Sequence, residues 1–204
     1  MQEARGTTLT TDSDGPQRTG IDRRLLWALV AVVGWVVDQV TKHLAVTRLE
    51  PGEPVSVLGP VLHLQLVFND GAAFSLGGGG QLTGLFTAFS SIAGLVVIWF
   101  VFARLRHRGW AFVLGLLAAG IFGNLTDRLL RAPGFPVGHV IDFLQLPYWP
   151  IFNVADICVT SAAVGIIWLA VIKDIPPQGR RPEPEPAEPE PAEPEPAETD
   201  EEGR

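Results

Sequence analysis

The chain has 204 residues, 47% of them hydrophobic, and a formal net charge of −7. The charge comes from residues 183–204, which hold ten acidic residues and one Arg, whereas residues 1–182 carry a net charge of +2. The acidic balance is therefore no sign of an acidic active site or of a cationic substrate, and we expect no nucleic-acid partner. The single cysteine, Cys158, excludes an intramolecular disulfide. The four histidines are scattered singly, so we expect no metal site and no cofactor.

Four stretches of the chain are apolar over the length of about 20 residues that a helix needs to cross a bilayer. The first stretch has no clear small-residue cleavage site, and Asp38 and Lys42 interrupt its far end. We therefore interpret it as a retained span and not as a cleaved signal peptide. The predicted fold is an all-α membrane protein with four transmembrane helices, at about residues 25–46, 82–103, 110–130 and 151–172.

Basic residues cluster at alternate connections between the spans, which indicates the orientation of the chain. Because Lys and Arg accumulate in cytoplasmic loops, we predict a multi-pass protein of the cytoplasmic membrane with both termini in the cytoplasm. The connections 47–81 and 131–150 are then extracytoplasmic. The basic residues are Arg23, Arg24, Arg104, Arg106, Arg108, Lys173, Arg180 and Arg181.

The first extracytoplasmic connection has the pattern of a strand. Between residues 55 and 68, His63 and Gln65 alternate with apolar neighbours, and Gly59-Pro60 predicts a turn. We expect a small sheet on the outer surface of the membrane. Four consecutive glycines, residues 77–80, predict a hinge before the second span.

The second extracytoplasmic connection is interpreted as a loop that carries Asp142. Its prolines, at positions 133, 136, 147 and 150, break helices. Tyr148 and Trp149 suit the aromatic belt of a membrane interface. This loop leads directly into the fourth span, so we expect Asp142 to lie close to the start of that span.

The two ends of the chain differ from its apolar centre. Glu-Pro-Glu-Pro-Ala recurs between residues 183 and 197, and a segment of this composition cannot bury a core. We predict a membrane peptidase domain at residues 23–175, between a disordered N-terminal segment at 1–22 and a disordered cytoplasmic tail at 176–204.

Polar side chains occur within the predicted spans, where a charge costs at least a few kcal/mol. They fall in the last turns of spans 1 and 3, which run outward, and in the first turns of span 4, which runs inward. All of them therefore converge near the outer face of the membrane. Spacings of three and four residues place the groups of each helix on one face. They are Asp38 and Lys42 in span 1, Asn124, Asp127 and Arg128 in span 3, and Asn153 and Asp156 in span 4.

The charges of this cluster allow two interpretations. The groups could cap helix ends and neutralise one another with no catalytic role. With Asp142, however, the cluster has four acids and two bases, so one-to-one pairing leaves two carboxylates. Two adjacent carboxylates share a proton, and such a pair can act as general base and general acid. The charges alone do not identify the two acids.

Five segments, in order along the chain, resemble the motifs of the lipoprotein signal peptidase family, also called signal peptidase II. One such motif would be weak, but five in order on the predicted topology are specific. The segments are Asp38-Gln-Val-Thr-Lys42, Asn69-Asp-Gly-Ala-Ala-Phe74, Gly123-Asn-Leu-Thr-Asp-Arg128, Val140-Ile-Asp-Phe143 and Phe152-Asn-Val-Ala-Asp156.

The resemblance implies an aspartic endopeptidase without metal that removes signal peptides from diacylglyceryl-modified prolipoproteins. The cut falls before the lipid-carrying cysteine, at the extracytoplasmic face of the membrane and in contact with membrane lipid. The family's catalytic acids correspond to Asp142 and Asp156, and its sensitivity to the cyclic peptide globomycin is implied too. The positions that correspond to substrate-binding or supporting residues are Asn69, Gly71, Asn124, Arg128, Asn153, Asp38, Lys42 and Asp127.

Two features lie outside the family pattern, namely the long connection at residues 129–141 and the Pro/Glu tail. Two other classes of function also fit part of the sequence. A small transporter or proton-conducting protein would use intramembrane Asp, Lys and Arg, although here these residues do not continue through the bilayer. In a structural four-helix assembly partner the carboxylates would be dispensable.

Overall fold

The structure is a computed structural model that describes residues 22–71 and 81–179, with only the backbone of residues 81 and 82. Within these residues four helices surround a polar cluster, and a small sheet covers one end of them. The helices are α1 (Arg23–Arg48), α2 (Gln81–Arg104), α3 (Arg108–Leu130) and α4 (Val154–Ile167), which continues as a π-helical turn over Trp168–Ile172. The strands are β1 (Val55–Leu58), β2 (Leu62–Asn69) and β3 (Val140–Gln145).

The four predicted spans are confirmed, because all four helices are long and apolar enough to cross a membrane. Side chains define where they begin. The Asp22 carboxylate accepts a hydrogen bond from the Arg24 backbone N–H, and the His107 ring accepts one from Gly109. Asn153 caps α4, so that this helix begins three residues later than residue 151, where we predicted its start.

Helix α3 lies at the centre of the bundle, between α1, α2 and α4. In its most apolar stretch 56% of the residues are buried, against 17–22% in the other three helices. Small residues allow this close packing, since a methyl group on Gly120 would lie 2.5 Å from the Ala155 carbonyl oxygen, and one on Gly115 would lie 2.7 Å from Val30. Apolar helices in lipid associate through such close contacts, because lipid supplies no hydrophobic driving force between them.

The end of the bundle where the chain enters α1 carries the basic side chains. The Arg24 guanidinium donates to the Phe102 carbonyl, and the Trp110 ring N–H donates to the Ile175 carbonyl. The Arg106 backbone N–H donates to the Pro177 carbonyl. The start of the predicted tail, residues 176–179, therefore folds back over the α2–α3 connection.

The opposite end of the bundle carries an antiparallel sheet in the order β1-β2-β3. β1 and β2 form a hairpin at the predicted turn, which contains Gly59 at a φ of +54°. Leu66 of β2 packs with Ile141 and Phe143 of β3 against Ala45 near the end of α1. The sheet is thereby attached to the helices at the level of the polar cluster.

The interpretation of residues 131–150 as a loop throughout was wrong, because Asp142 lies on strand β3. Residues 140–143 of this strand are all buried, which gives a nearly continuous apolar run instead of the alternation of a half-exposed strand. The end of the strand is also bonded to the approach to α4. The Leu144 and Phe152 backbones exchange hydrogen bonds of 2.8 and 3.0 Å. This link holds residue 153 beside residue 142.

Several expectations concern residues outside the described ranges. They are the glycine hinge at residues 77–80, the end of the second motif at residues 72–74, and nearly all of the two predicted disordered segments. These expectations, and the domain boundaries that depend on them, stay predictions.

The close approach of α3 and α4 predicts that Gly120→Ala destabilises the fold by about 1–3 kcal/mol, because the added methyl group overlaps the α4 backbone. Thermal unfolding in detergent measures the effect. Gly84→Ala in α2 is the matched control, since nothing lies within 4 Å of its added methyl group, and we expect it to keep or raise stability. Equal stability of the two variants would contradict the packing described for α3.

Candidate active site

The buried ammonium group of Lys42 holds together the part of the cluster that α1 and α3 contribute. Its Nζ lies 2.8 Å from Asp38, 2.8 Å from Asp127 and 2.9 Å from the Asn124 side-chain oxygen. An ammonium has three N–H donors, so these acceptors use all of them. Because Lys42, Asp38 and Asp127 have no exposed side-chain surface, this group joins α1 to α3 without contact with solvent.

Both acids around Lys42 also accept backbone hydrogen bonds, which fix neighbouring elements. Asp38 accepts from the Ala155 N–H at 2.8 Å and thereby orients the first turn of α4. Asp127 accepts from the Ile141 N–H at 3.3 Å, next to Asp142 on β3. The two acids that are bonded to Lys42 therefore position the segments that carry the other two acids.

The one-to-one pairing of charges assumed from the sequence was wrong. Lys42 binds two acids, and a third base, Arg131, forms a salt bridge with Asp127. Arg131 follows Asp127 by four residues, a helical pair spacing that was visible in the sequence but was overlooked. Among the described residues Asp142 and Asp156 form no salt bridge, so two carboxylates are left over, as predicted, although by a different pairing.

Asp142 is held by two side-chain amides. Asn69 donates to one carboxylate oxygen at 2.8 Å and Asn153 donates to the other at 2.6 Å. On the sheet Val67 lies opposite Asp142, so Asn69, two residues further along β2, is its diagonal neighbour on the same face. Gly71, at a φ of +90°, donates its N–H to the Asn69 side-chain oxygen at 2.8 Å, which fixes the amide orientation.

Asp156 is held at the start of α4 by a reciprocal cap. The Asn153 N–H donates to Asp156 at 3.1 Å, and the Asp156 N–H donates to the Asn153 side chain at 3.0 Å. Asn124 adds a third contact, since its amide donates to the other Asp156 oxygen at 2.9 Å. Asn153 therefore binds Asp142 through its side chain and Asp156 through its backbone, which places the two carboxylates next to each other.

The two carboxylates differ in their surroundings. Asp142 is 3% exposed, whereas Asp156 is only partly buried. Burial raises the pKa of Asp142 from 3.8 to about 6; the bond from Asn69 opposes this rise, and the charge of Asp156 adds to it. A carboxylate with a pKa near 6 gains and loses its proton close to neutral pH, as acid–base chemistry requires.

The Arg128 side chain lies close to the two carboxylates. Its guanidinium stacks over the Phe86 ring at 5.7 Å, and its charge acts on Asp142, Asp127 and Asp156. Within the described part of the chain its buried Nη1 atom has no hydrogen-bond partner. A buried donor without a partner costs about 1–3 kcal/mol, and a bound ligand could satisfy it.

All ten site residues predicted from the sequence lie in the described region, and the structure brings them together at the sheet end of the bundle. Sequence reasoning missed Arg131 and also Gln39, whose amide donates to Asp38 and to the Gly123 carbonyl. In residues 22–71 and 81–179 no group of three or more His, Cys, Asp or Glu side chains is placed to hold a metal ion.

Comparisons with known proteins agree with this architecture. The family described as signal peptidase (SPase) II matches residues 30–172. A lipoprotein signal peptidase of Leifsonia xyli subsp. xyli is 43% identical over 178 residues, which is 84% of this chain and 79% of that protein. One of Rhodococcus jostii is 42% identical over 166 residues, covering 81% and 82% of the two chains.

A solved bacterial membrane enzyme superimposes with a TM-score of 0.64 at 29% identity, over 72% of this chain and 93% of its own. A second structure of that description has a TM-score of 0.63 and also 29% identity, with coverages of 72% and 88%. The family match, residues 30–172, contains all four helices from residue 30 onward and the three strands. This multi-pass membrane protein belongs to the signal peptidase II family of peptidases.

Proposed function

We propose that this chain is an aspartic endopeptidase that removes the signal peptide from diacylglyceryl-modified prolipoproteins, with Asp142 and Asp156 as its catalytic pair. The observation that carries the proposal is the shared contact with Asn153, which holds the two unpaired carboxylates side by side. The relatives are named lipoprotein signal peptidases, which supports prolipoproteins as substrates. Cleavage before the lipid-carrying cysteine follows from the resemblance of the five motifs.

In the proposed mechanism the pair carries one proton and activates a water molecule. The ionised carboxylate takes a proton from the water as its oxygen attacks the scissile carbonyl carbon. The protonated carboxyl donates to the developing oxyanion and later a proton passes to the departing amine. Because the two groups interact, the proton belongs to the pair and not to one residue. The asparagines on both sides keep the carboxylates fixed while the proton moves between them.

Arg128, Asn124 and Asn69 have supporting roles in this proposal. The buried Nη1 of Arg128 would donate to a backbone carbonyl of the substrate or to the oxyanion, where a fixed donor in a site shielded from water stabilises charge strongly. Asn124 connects Asp156 to Lys42, and Asn69 connects Asp142 to the turn at Gly71. Each contact holds a catalytic oxygen in place before substrate arrives.

The position of the pair suits a substrate that is anchored in lipid. The pair lies where α3 ends and α4 begins, at the end of the bundle that the sheet covers. Basic residues gather at the opposite end, which supports a cytoplasmic location for both termini and an extracytoplasmic location for the site. A diacylglyceryl cysteine at the outer membrane surface would present its scissile bond at this depth, with its acyl chains in membrane lipid.

The other two classes of function have no support in the structure or the comparisons. A proton or ion path would need polar groups along the bundle, but near its basic end the described helices enclose an apolar core that includes Val101, Trp110, Leu114 and Ala118. In a purely structural protein, two unpaired carboxylates beside a buried guanidinium would lower the stability and serve no purpose. Inhibition by globomycin is part of the proposal through the family resemblance.

Asp142→Asn and Asp156→Asn are each expected to lower the cleavage rate of a lipidated precursor by at least about 10³-fold, because an amide can neither accept nor donate the proton. Cleavage by the purified enzyme, with a globomycin-treated sample as blank, measures the rate. Glu53→Gln is the control, since it neutralises an exposed acid in the α1–β1 connection. Full activity in either aspartate variant, with the protein folded, would refute the assignment.

Asn69→Ala is expected to shift the pH dependence of cleavage. The Asn69 amide favours the ionised form of Asp142, so its loss raises the pKa of Asp142 further above about 6. If the active pair carries one proton, activity falls as rising pH removes that proton, and the alkaline limb of kcat/KM therefore moves to higher pH in the variant.

A pH series of kcat/KM tests this shift. Gln65→Ala serves as the control, because Gln65 lies on the same strand but does not bind Asp142 among the described hydrogen bonds. An alkaline limb that stays in place, or that moves to lower pH, would show that Asn69 does not act through the ionisation of Asp142.

Arg128→Gln is expected to lower kcat by about 10²-fold, the usual effect of losing one donor to a developing oxyanion. Arg128→Lys should restore only part of the rate, since an ammonium keeps the charge but lacks the planar array of donors. Single-turnover cleavage separates this loss from substrate binding. An unchanged kcat in the glutamine variant would exclude the role proposed for Nη1.

A further inference from the structure

A cavity of about 490 Å³ lies beside the catalytic cluster and takes no part in the mechanism above. It opens between the end of α1, strand β2 and the segment that joins α3 to β3. Its walls include Val46, Phe68, Pro133 and Ile141, and two basic side chains, Arg131 and His139, also line it. None of the described residues that line this cavity is acidic. It is therefore an apolar recess whose wall carries two side chains that can donate hydrogen bonds.

The connecting segment that forms one wall is held in place by its own backbone. Gly138 donates to the Arg128 carbonyl, and His139 donates to the Ala132 carbonyl, both at 3.0 Å. Gly138 is required here, because an added methyl group would collide with the carbonyl oxygens of Asp127, Arg128 and Arg131. The backbone of this wall is thus fixed by hydrogen bonds, and the side chains of Val46, Phe68 and Arg131 complete the recess.

Arg131 retains donors for a ligand in the recess. Its Nε binds Asp127, but none of the hydrogen bonds between described residues uses its two Nη atoms. The side chain is 28% exposed, so the guanidinium is accessible from the cavity. Asp127 also binds Lys42. Asp127 therefore connects Arg131 in the cavity wall to the buried charges that position the catalytic segments.

The surroundings of the recess belong in lipid. Leu130 is 80% exposed and Phe135 is 74% exposed, and both lie in or next to the connecting segment. Phe68, itself part of the wall, is exposed as well. Large exposed apolar side chains around a recess that also holds basic side chains mark the boundary between hydrocarbon and headgroups. A molecule that fits must be apolar at one end and anionic at the other.

We propose that this recess, the Arg131–His139 site, binds an anionic phospholipid of the surrounding leaflet. The phosphate of its headgroup accepts hydrogen bonds from Arg131 and His139, and the upper part of an acyl chain packs on Val46 and Phe68. Guanidinium groups suit phosphate because they present several donors in one plane. The diacylglyceryl group of a prolipoprotein has no such charge, which separates this ligand from the substrate of the catalytic pair.

Lipid binding to the purified full-length protein tests the proposal, with no need for catalytic activity. Native mass spectrometry measures the affinities for dioleoyl phosphatidylglycerol, dioleoyl phosphatidylcholine and uncharged dioleoylglycerol. We expect phosphatidylglycerol to bind at least about fivefold more tightly than either of the others, the effect of roughly one basic residue at a membrane surface. Equal binding of the three lipids would overturn the site.

Substitutions locate the binding. Arg131→Gln should weaken phosphatidylglycerol binding about fivefold, and Arg131→Lys, which keeps the charge but not the planar donors, should restore only part of it. His139→Ala, which leaves the ion pair with Asp127 untouched, should weaken binding about two- to fivefold by loss of one donor. Arg48→Gln is the matched control, because Arg48 lies at the end of α1 but lines a different cavity.

The variants also define the results that contradict the proposal. Wild-type affinity in His139→Ala would exclude the headgroup contact even if Arg131→Gln failed to fold. An equal loss in Arg48→Gln and Arg131→Gln would show that the lipid responds to any basic residue near this end and not to a contact within the recess. Either result would leave the proposed peptidase function unaffected, because the readout is lipid binding alone.

Discussion

The buried contact of Lys42 with Asp38, Asp127 and Asn124 is the interaction on which the rest of the site depends. One ammonium group has its three donors satisfied by three acceptors from α1 and α3. Removing one partner from such a buried charged group typically costs about 3–5 kcal/mol. In a membrane the cost of exposing these charges to hydrocarbon disfavours any other register of the two helices. A single charged residue thus fixes the relative height of α1 and α3.

The site has two layers with different chemistry. The lower layer surrounds Lys42, and the upper layer contains Asp142 and Asp156. In the lower layer positive and negative charges neutralise each other, and the acids also accept hydrogen bonds from the backbones of Ala155 and Ile141. In the upper layer the carboxylates of Asp142 and Asp156 are bonded to amides, which hold them without neutralising them. The lower layer therefore supplies rigidity, and the upper layer keeps a reactive negative charge. This division explains why both charged and amide side chains occur at this end of the bundle.

Most of the fold could be predicted because the physical signals are strong. Four long apolar stretches between basic connections predict the bundle, and the spacing of Asp38 and Lys42 predicts their ion pair. The convergence of the acids follows from the alternating direction of the spans. Strand β3 could not be predicted in the same way, since it is buried on both faces and its apolar run at residues 140–144 has no alternation.

The pairing within the cluster was harder to predict than its membership. Which acids remain unpaired depends on Arg131, which lies beyond the last turn of α3, and on the three-way contact of Lys42. Neither feature follows from counting charges, because a count assigns one partner to each base. The tie between Leu144 and Phe152, which sets Asn153 beside Asp142, joins two segments across a proline-rich turn and has no local sequence signal.

The cap of α4 has a consequence for the proposed catalysis. Asp156 is both a proposed catalytic acid and the third residue of its helix, where its carboxylate closes the cap with Asn153. Helix ends open locally at a lower free energy than the whole domain. Opening of this first turn would separate Asp156 from Asn153, and Asn153 from Asp142, while the four helices stay packed. Cleavage therefore depends on the integrity of this one turn as well as on the packing of the bundle.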